Sequence, residues 1–216
     1  CGAGALEALG VCYYDRELQP VTNLTPESFK KVATLGSTSH LIDRFPPVRI
    51  ACDVANPLLG PDGATRVYGP QKGLLREDFE RMERTLHKMA TRILGLYGRS
   101  PTEWDPLLAE PGSGAAGGIG FALRHALPDA RFIEGFPLVA DLLGLPARIR
   151  GADCIITGEG RLDESSLAGK GPVSLVRLAE APKQVLMLAG SVEEAVADRL
   201  QTAHPHLRVL VLSDPG

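Results

Sequence analysis

The sequence predicts an α/β protein with mostly parallel sheets and flanking helices, assembled from Rossmann-like βαβ units. Three observations carry this expectation. From residue 152 onward the pattern reads strand, helix, strand, helix, strand, which is the order of parallel βαβ units. Within it, Cys154-Ile155-Ile156-Thr157 is apolar and β-branched. It reads as a strand buried on both faces that gives way at Gly158 to a loop of glycines and charges. Residues 75–97 then place Leu75, Phe79, Met82, Leu86, Met89, Ile93 and Tyr97 at alternating intervals of four and three, which forms one apolar stripe of a long helix.

In chain order, residues 3–10 read as a short helix stopped by Gly10, and 11–15 as a strand. Thr25-Pro26-Glu27 has the marks of a helix start, with Phe29, Val32 and Ala33 as its stripe. Residues 44–47 break the pattern before a strand at 48–54. After the long helix, residues 100–111 read as irregular, with Trp104 as a packing anchor. Helices are expected at 117–127, 136–145 and 172–181, and strands at 153–157, 184–189 and 208–212. Ser191-Val192-Glu193-Glu194 reads as a capping box opening a helix to about residue 203.

Composition narrows the function classes. The chain has 216 residues, 44% hydrophobic and 23% charged, as in ordinary globular proteins. A net charge of −3 gives no general attraction to nucleic acid or to an anionic membrane. No apolar window reaches spanning length, and no basic leader precedes an apolar run. Cys1, Cys12, Cys52 and Cys154 form no C-x-x-C pair, which fits a reduced, cytoplasmic compartment. The histidines are too scattered to form a metal site. The chain opens without Met on a helix-like run, so it reads as part of a longer protein.

Three glycine-rich loops are candidates for chemistry. The first follows the strand at 48–54 and holds Asp53, Asn56 and Lys72. An acid at the end of a buried strand, an amide and a lysine suit a metal–phosphate group or a polyol. The second, Pro111-Gly112-Ser113-Gly114-Ala115-Ala116-Gly117-Gly118, contains G-x-G-x-x-G. No strand precedes it, which argues against a dinucleotide fold, but its backbone N–H groups at a helix start suit an anion. The third follows the strand at 153–157. There Glu159 and Asp163 suit Mg²⁺, Arg161 suits a carboxylate or phosphate, and Lys170 suits phosphate charge. The absence of a Walker A string excludes a P-loop NTPase.

Taken together and in order, three strings resemble the type I glycerate kinase family. They are Ala51-Cys52-Asp53-Val54-Ala55-Asn56-Pro57-Leu58-Leu59-Gly60 with Gly69-Pro70-Gln71-Lys72-Gly73, the second loop up to Gly118, and Thr157-Gly158-Glu159-Gly160-Arg161-Leu162-Asp163. The resemblance runs over nearly the whole chain. It implies an interior portion of a longer kinase of two domains with the active site in a cleft between them. Residues 1–216 would then be mainly one α/β domain, with 180–216 as the candidate region for the boundary to the second. The sequence departs from the family pattern at Glu164-Ser165-Ser166, where Ser-Gln-Thr is usual, at Gly171-Pro172-Val173-Ser174 after the Gly-Lys, and at Cys1, where glycine is usual.

What the resemblance implies chemically is transfer of the ATP γ-phosphoryl group to D-glycerate with Mg²⁺, giving 2-phosphoglycerate in preference to 3-phosphoglycerate. Asp53 or Asp163 would deprotonate or orient the hydroxyl. Lys72 or Lys170 would stabilise the transferred group. Asn56 and Arg161 would bind substrate, with Arg161 on the carboxylate. Gly112, Ser113, Gly114, Gly117 and Gly118 would hold nucleotide phosphate, and Glu159 with Asp163 the metal. By itself this portion is expected to be inactive. The alternative is a non-catalytic sugar-acid-binding or regulatory protein on the same fold, suggested by the altered residues 164–166. A nicotinamide oxidoreductase is disfavoured because no strand precedes Gly112.

Overall fold

The computed structural model describes residues 1–37, 44–168, 171–179 and 184–212. The chain divides into two compact units, Cys1–Ile133 and Glu134–Gly216, each with its own buried core.

In the first unit, helix α1 (Ala3–Ala8) ends before Gly10, whose φ of 93° reverses the chain into β1 (Val11–Tyr14). Strand β1 pairs antiparallel with β2 (Thr34–Ser37), Val11 facing Ser37. The helix expected after Thr25 does not form; one 3₁₀ turn, Ser28–Lys30, stands in its place. The cause is local competition. The Ser28 hydroxyl accepts the Thr25 N–H at 2.9 Å, and the Ala33 N–H already bonds Tyr14 O at 2.7 Å, which draws the segment into the β1 edge.

Strands β3 (Arg49–Ala51) and β4 (Arg131–Ile133) are parallel, with Ile50 opposite Phe132. The ladder is shorter than the apolar run at 48–54 suggests, although Cys52 N–H still reaches Ile133 O at 2.9 Å. Helices α2 (Ala64–Tyr68), α3 (Phe79–Leu96), α4 (Trp104–Leu108) and α5 (Ile119–Ala126) complete the unit. The α3 stripe is real from Phe79 onward, whereas Leu75 lies outside the helix and is exposed. Met89, Ile93 and Leu94 are fully buried in one core with Phe121, Leu6 and Val11. Each such side chain contributes about 1.5–3 kcal/mol of burial. Residues 100–111 are more ordered than expected. Ser100 and Glu103 form a capping box on a 3₁₀ turn, α4 follows, and Trp104 packs against the core.

In the second unit, the expected helix at 136–145 is two: α6 (Gly135–Leu142) and α7 (Leu145–Gly151), separated at Gly144, whose φ is 60°. Strands β5 (Cys154–Leu162), β6 (Gln184–Val192) and β7 (Leu207–Val211) form a parallel sheet in the order β5-β6-β7. The connections are α8 (Gly171–Leu178) and α9 (Glu194–Ala203), so the predicted βαβ units are present. The core beneath the sheet includes Ile155, Leu162, Val173, Val176, Met187 and Leu200.

Two expectations about this sheet are corrected. Ile156 is 66% exposed and Cys154 is exposed, so β5 is not buried on both faces. Nor does it stop at Thr157: it keeps one register with β6 from Cys154 opposite Gln184 to Leu162 opposite Val192. The glycines serve close strand approach rather than a turn. A Cβ on Gly158 would lie 2.5 Å from Leu188 O, and one on Gly190 would lie 2.6 Å from Gly160 O. Because β6 continues through Ser191 and Val192, no capping box opens α9. Among the described residues no helix is long and apolar enough to cross a membrane.

Candidate active site

The charged stretch of the second unit is built on a strand. Glu159 and Arg161 lie two residues apart in the last part of β5, opposite Ala189 and Ser191 of β6. Arg161 is held between two carboxylates: Nε lies 3.3 Å from Asp163 Oδ2, and Nη2 lies 3.1 Å from Glu193 Oε1. Asp163 starts the turn after β5, where its Oδ1 accepts the Ser165 N–H at 3.0 Å and the Ser165 hydroxyl. Glu159 Oε2 accepts the Ser166 hydroxyl at 2.9 Å, while Glu159 Oε1 is buried with no hydrogen-bond partner among the described residues. Glu159, Arg161 and Asp163 are thus brought together at one strand end. Lys170 lies outside the described residues.

In the first unit the two glycine-rich loops dock on each other. The Leu58 N–H donates to Ser113 Oγ at 2.8 Å, and the Gly114 N–H donates to Asn56 O at 3.0 Å. The contact is close: a Cβ on Gly114 would sit 2.1 Å from Pro57 O. Asn56 is fixed at both ends of its amide, with Oδ1 accepting the Tyr68 hydroxyl at 2.7 Å and Nδ2 donating to Asp62 O at 2.9 Å. Burial, and after it the neighbouring Cys52, raises the Tyr68 pKa, which keeps that hydroxyl a donor. Gly112, Ser113, Gly114 and Gly118 are buried and Gly117 is exposed. Asp53 is exposed just beyond β3, so the burial expected of it is absent.

A cavity of about 580 Å³ lies within this unit, lined by Thr65, Tyr68, Lys72, Gly117, Phe29 and Met82, among others. It brings Lys72 and Gly117, from two of the sequence loops, to one space. Lys72 ends a 3₁₀ turn, Pro70–Lys72, several residues before α3.

The match to known proteins is extensive. The model of the glycerate kinase family matches residues 1–211. The chain belongs to the glycerate kinase family. It is 36% identical to a glycerate kinase of Halalkalibacterium halodurans over 88% of this chain and 48% of that protein. It is 37% identical to the glycerate 2-kinase of Escherichia coli over 74% of this chain and 39% of that one. A solved structure named for glycerate kinase 2 from Salmonella typhimurium LT2 superposes with a TM-score of 0.67 at 32% identity. That superposition covers 95% of this chain and 57% of the other. The chain spans about half the length of the curated relatives it matches.

Within this glycerate kinase family chain, sequence reasoning missed Ser166, Glu193 and Tyr68, all of which hold predicted site residues. Glu193 lies 32 residues from Arg161, and only the register of β5 on β6 brings them together. Tyr68 carried no signal beyond an aromatic in a polar loop. Ser166 was visible only as a departure from the family string.

Proposed function

We propose that the protein to which this chain belongs transfers the γ-phosphoryl group of ATP to D-glycerate, giving 2-phosphoglycerate in preference to 3-phosphoglycerate. The observation that carries the reading is the end of β5, where Arg161 sits between Asp163 and Glu193 with Glu159 two residues before it on the strand. A guanidinium oriented by two carboxylates presents a fixed fork to a substrate carboxylate. Family membership and the names of the relatives support glycerate as the acceptor.

The buried oxygen of Glu159, which has no partner among the described residues, fits a Mg²⁺ ion, which takes one or two carboxylates and keeps water and phosphate ligands. Bound there, Mg²⁺ supplies charge neutralisation for the phosphates, with Glu159 and Asp163 as the residues that would hold it. The remaining roles belong to the chain itself. Arg161 and Asn56 bind glycerate, and Asp53 or Asp163 takes or orients the hydroxyl proton. Lys72 or Lys170 meets the transferred phosphoryl group. The loop from Gly112 to Gly118 approaches nucleotide phosphate, with Ser113 and Gly114 fixing its shape. Such a transfer needs positioning and charge neutralisation more than covalent chemistry. The proposed setting is the reduced cytoplasm, in keeping with four free cysteines.

The test uses the intact protein with ATP, Mg²⁺ and D-glycerate, following ADP release and identifying the product by phosphorus NMR. Glycerate-dependent ADP with a 2-phosphate ester is expected. Glycerate binding without ADP release would instead support a non-catalytic sugar-acid-binding protein.

A further inference from the structure

We propose that Ser166 is a positioning residue for this reaction: its buried hydroxyl sets the Glu159 carboxylate and the backbone that carries Arg161 and Asp163. The inference rests on the roles proposed above for those three residues. Ser166 is 0% exposed. Its Oγ lies 2.9 Å from Glu159 Oε2, 3.3 Å from Arg161 O and 3.2 Å from Asp163 N. A hydroxyl has one proton to give and two lone pairs to accept with. It accepts the Asp163 N–H and donates to Glu159, the shorter and charge-assisted contact, with the Arg161 carbonyl as the alternative acceptor. The Ser166 N–H closes the same turn on Asp163 O at 2.9 Å.

One hydroxyl therefore touches all three candidate residues, two through their backbone and one through its carboxylate. Its hold on Glu159 is selective. Oε2 is the held oxygen, and Oε1, buried and unpartnered among the described residues, takes its direction from that hold. Without the hydroxyl the carboxylate can rotate, and the Asp163 N–H loses its acceptor. The turn that aims the Arg161–Asp163 pair then loosens.

The experiment compares Ser166→Ala and Ser166→Thr in the intact protein, measuring kcat and KM for D-glycerate and the glycerate Kd by calorimetry without nucleotide. Loss of a hydrogen bond to a charged group is expected to raise the Kd and lower kcat/KM about tenfold or more in S166A. S166T, which keeps the hydroxyl, restores both. Should S166A fail to fold, Ser166→Cys replaces it, since a thiol of similar size donates only weakly. Constants unchanged in S166A or S166C, or a loss that S166T does not restore, overturn the inference. An intact wild-type protein that makes no phosphoglycerate sinks the functional reading and this inference with it. An active wild type with an indifferent Ser166 sinks this inference alone.

Discussion

The Ser113 hydroxyl accepts the backbone N–H of Leu58 at 2.8 Å across 55 residues of sequence, and both residues are fully buried. This bond fastens the loop after β3 to the loop before α5. Replacing Ser113 by Ala would leave the buried Leu58 N–H with only its longer bond to Leu108 O at 3.2 Å, at a cost of about 0.5–1.5 kcal/mol. The melting temperature of S113A is expected to fall by several degrees, as scanning calorimetry would show.

The glycines of the same loop separate two causes of intolerance. Gly114 has an ordinary φ of −84°, but a Cβ there meets Pro57 O at 2.1 Å. Gly117 has a φ of +71° and open space around it. G114A must push the two loops apart and is expected to lose about 3 kcal/mol. G117A bears only the left-handed backbone penalty, about 1–2 kcal/mol. Equal losses in denaturant unfolding would contradict this assignment of causes.

His125 supplies a pH signature of the first core. It is 6% exposed, packs edge-on against Phe121 at 4.8 Å, and neither ring nitrogen has a partner among the described residues. Burial first, then Arg99 and Arg124, lowers its pKa from 6.5 to about 4. The folded state therefore holds it neutral, while the unfolded chain protonates near 6.5. Its contribution is complete above that value and is lost as pH falls from 6.5 towards 4, on the order of 3 kcal/mol in all. Denaturant titrations across this window should show a smaller pH dependence in H125F than in wild type.

The βαβ order after residue 152 and the long apolar stripe were legible because both follow from side-chain period. The extent of β5 was not. Gly158 and Gly160 signal a turn in sequence, yet Gly158 is required by the Leu188 carbonyl lying against it, a neighbour 30 residues away. The missing helix after Thr25 has the same kind of cause, since Tyr14 claims the Ala33 N–H from outside the segment. For the candidate site, residue types were readable and partners were not. Arg161, Glu159 and Asp163 stand in one string, whereas Glu193 arrives from the next strand end.

Arg161 illustrates why those partners matter. Asp163 and Glu193 engage Nε and Nη2 and so fix the plane of the guanidinium. R161A is expected to lower kcat/KM for glycerate about ten- to a hundredfold. R161K should recover little of this, because an ammonium cannot reproduce a planar fork. Unchanged glycerate kinetics in R161A would remove Arg161 from the site.

The departure at Glu164-Ser165-Ser166 has a structural reading that kinetics can check. Glu164 pairs with Arg199 of α9, Ser165 caps Asp163, and Ser166 faces Glu159. The Glu164–Arg199 pair is solvent-exposed, with side chains 64% and 61% accessible, so screening limits it to about 0–1 kcal/mol. The charge of Glu164 is answered on the helix surface. Restoring the usual family residue with Glu164→Ser should therefore shift the melting temperature slightly and leave the glycerate KM unchanged. Ser165→Gln differs, because it removes a hydroxyl that bonds Asp163 Oδ1. If E164S alone changed the glycerate KM, this position would be part of substrate selection rather than of the α9 surface.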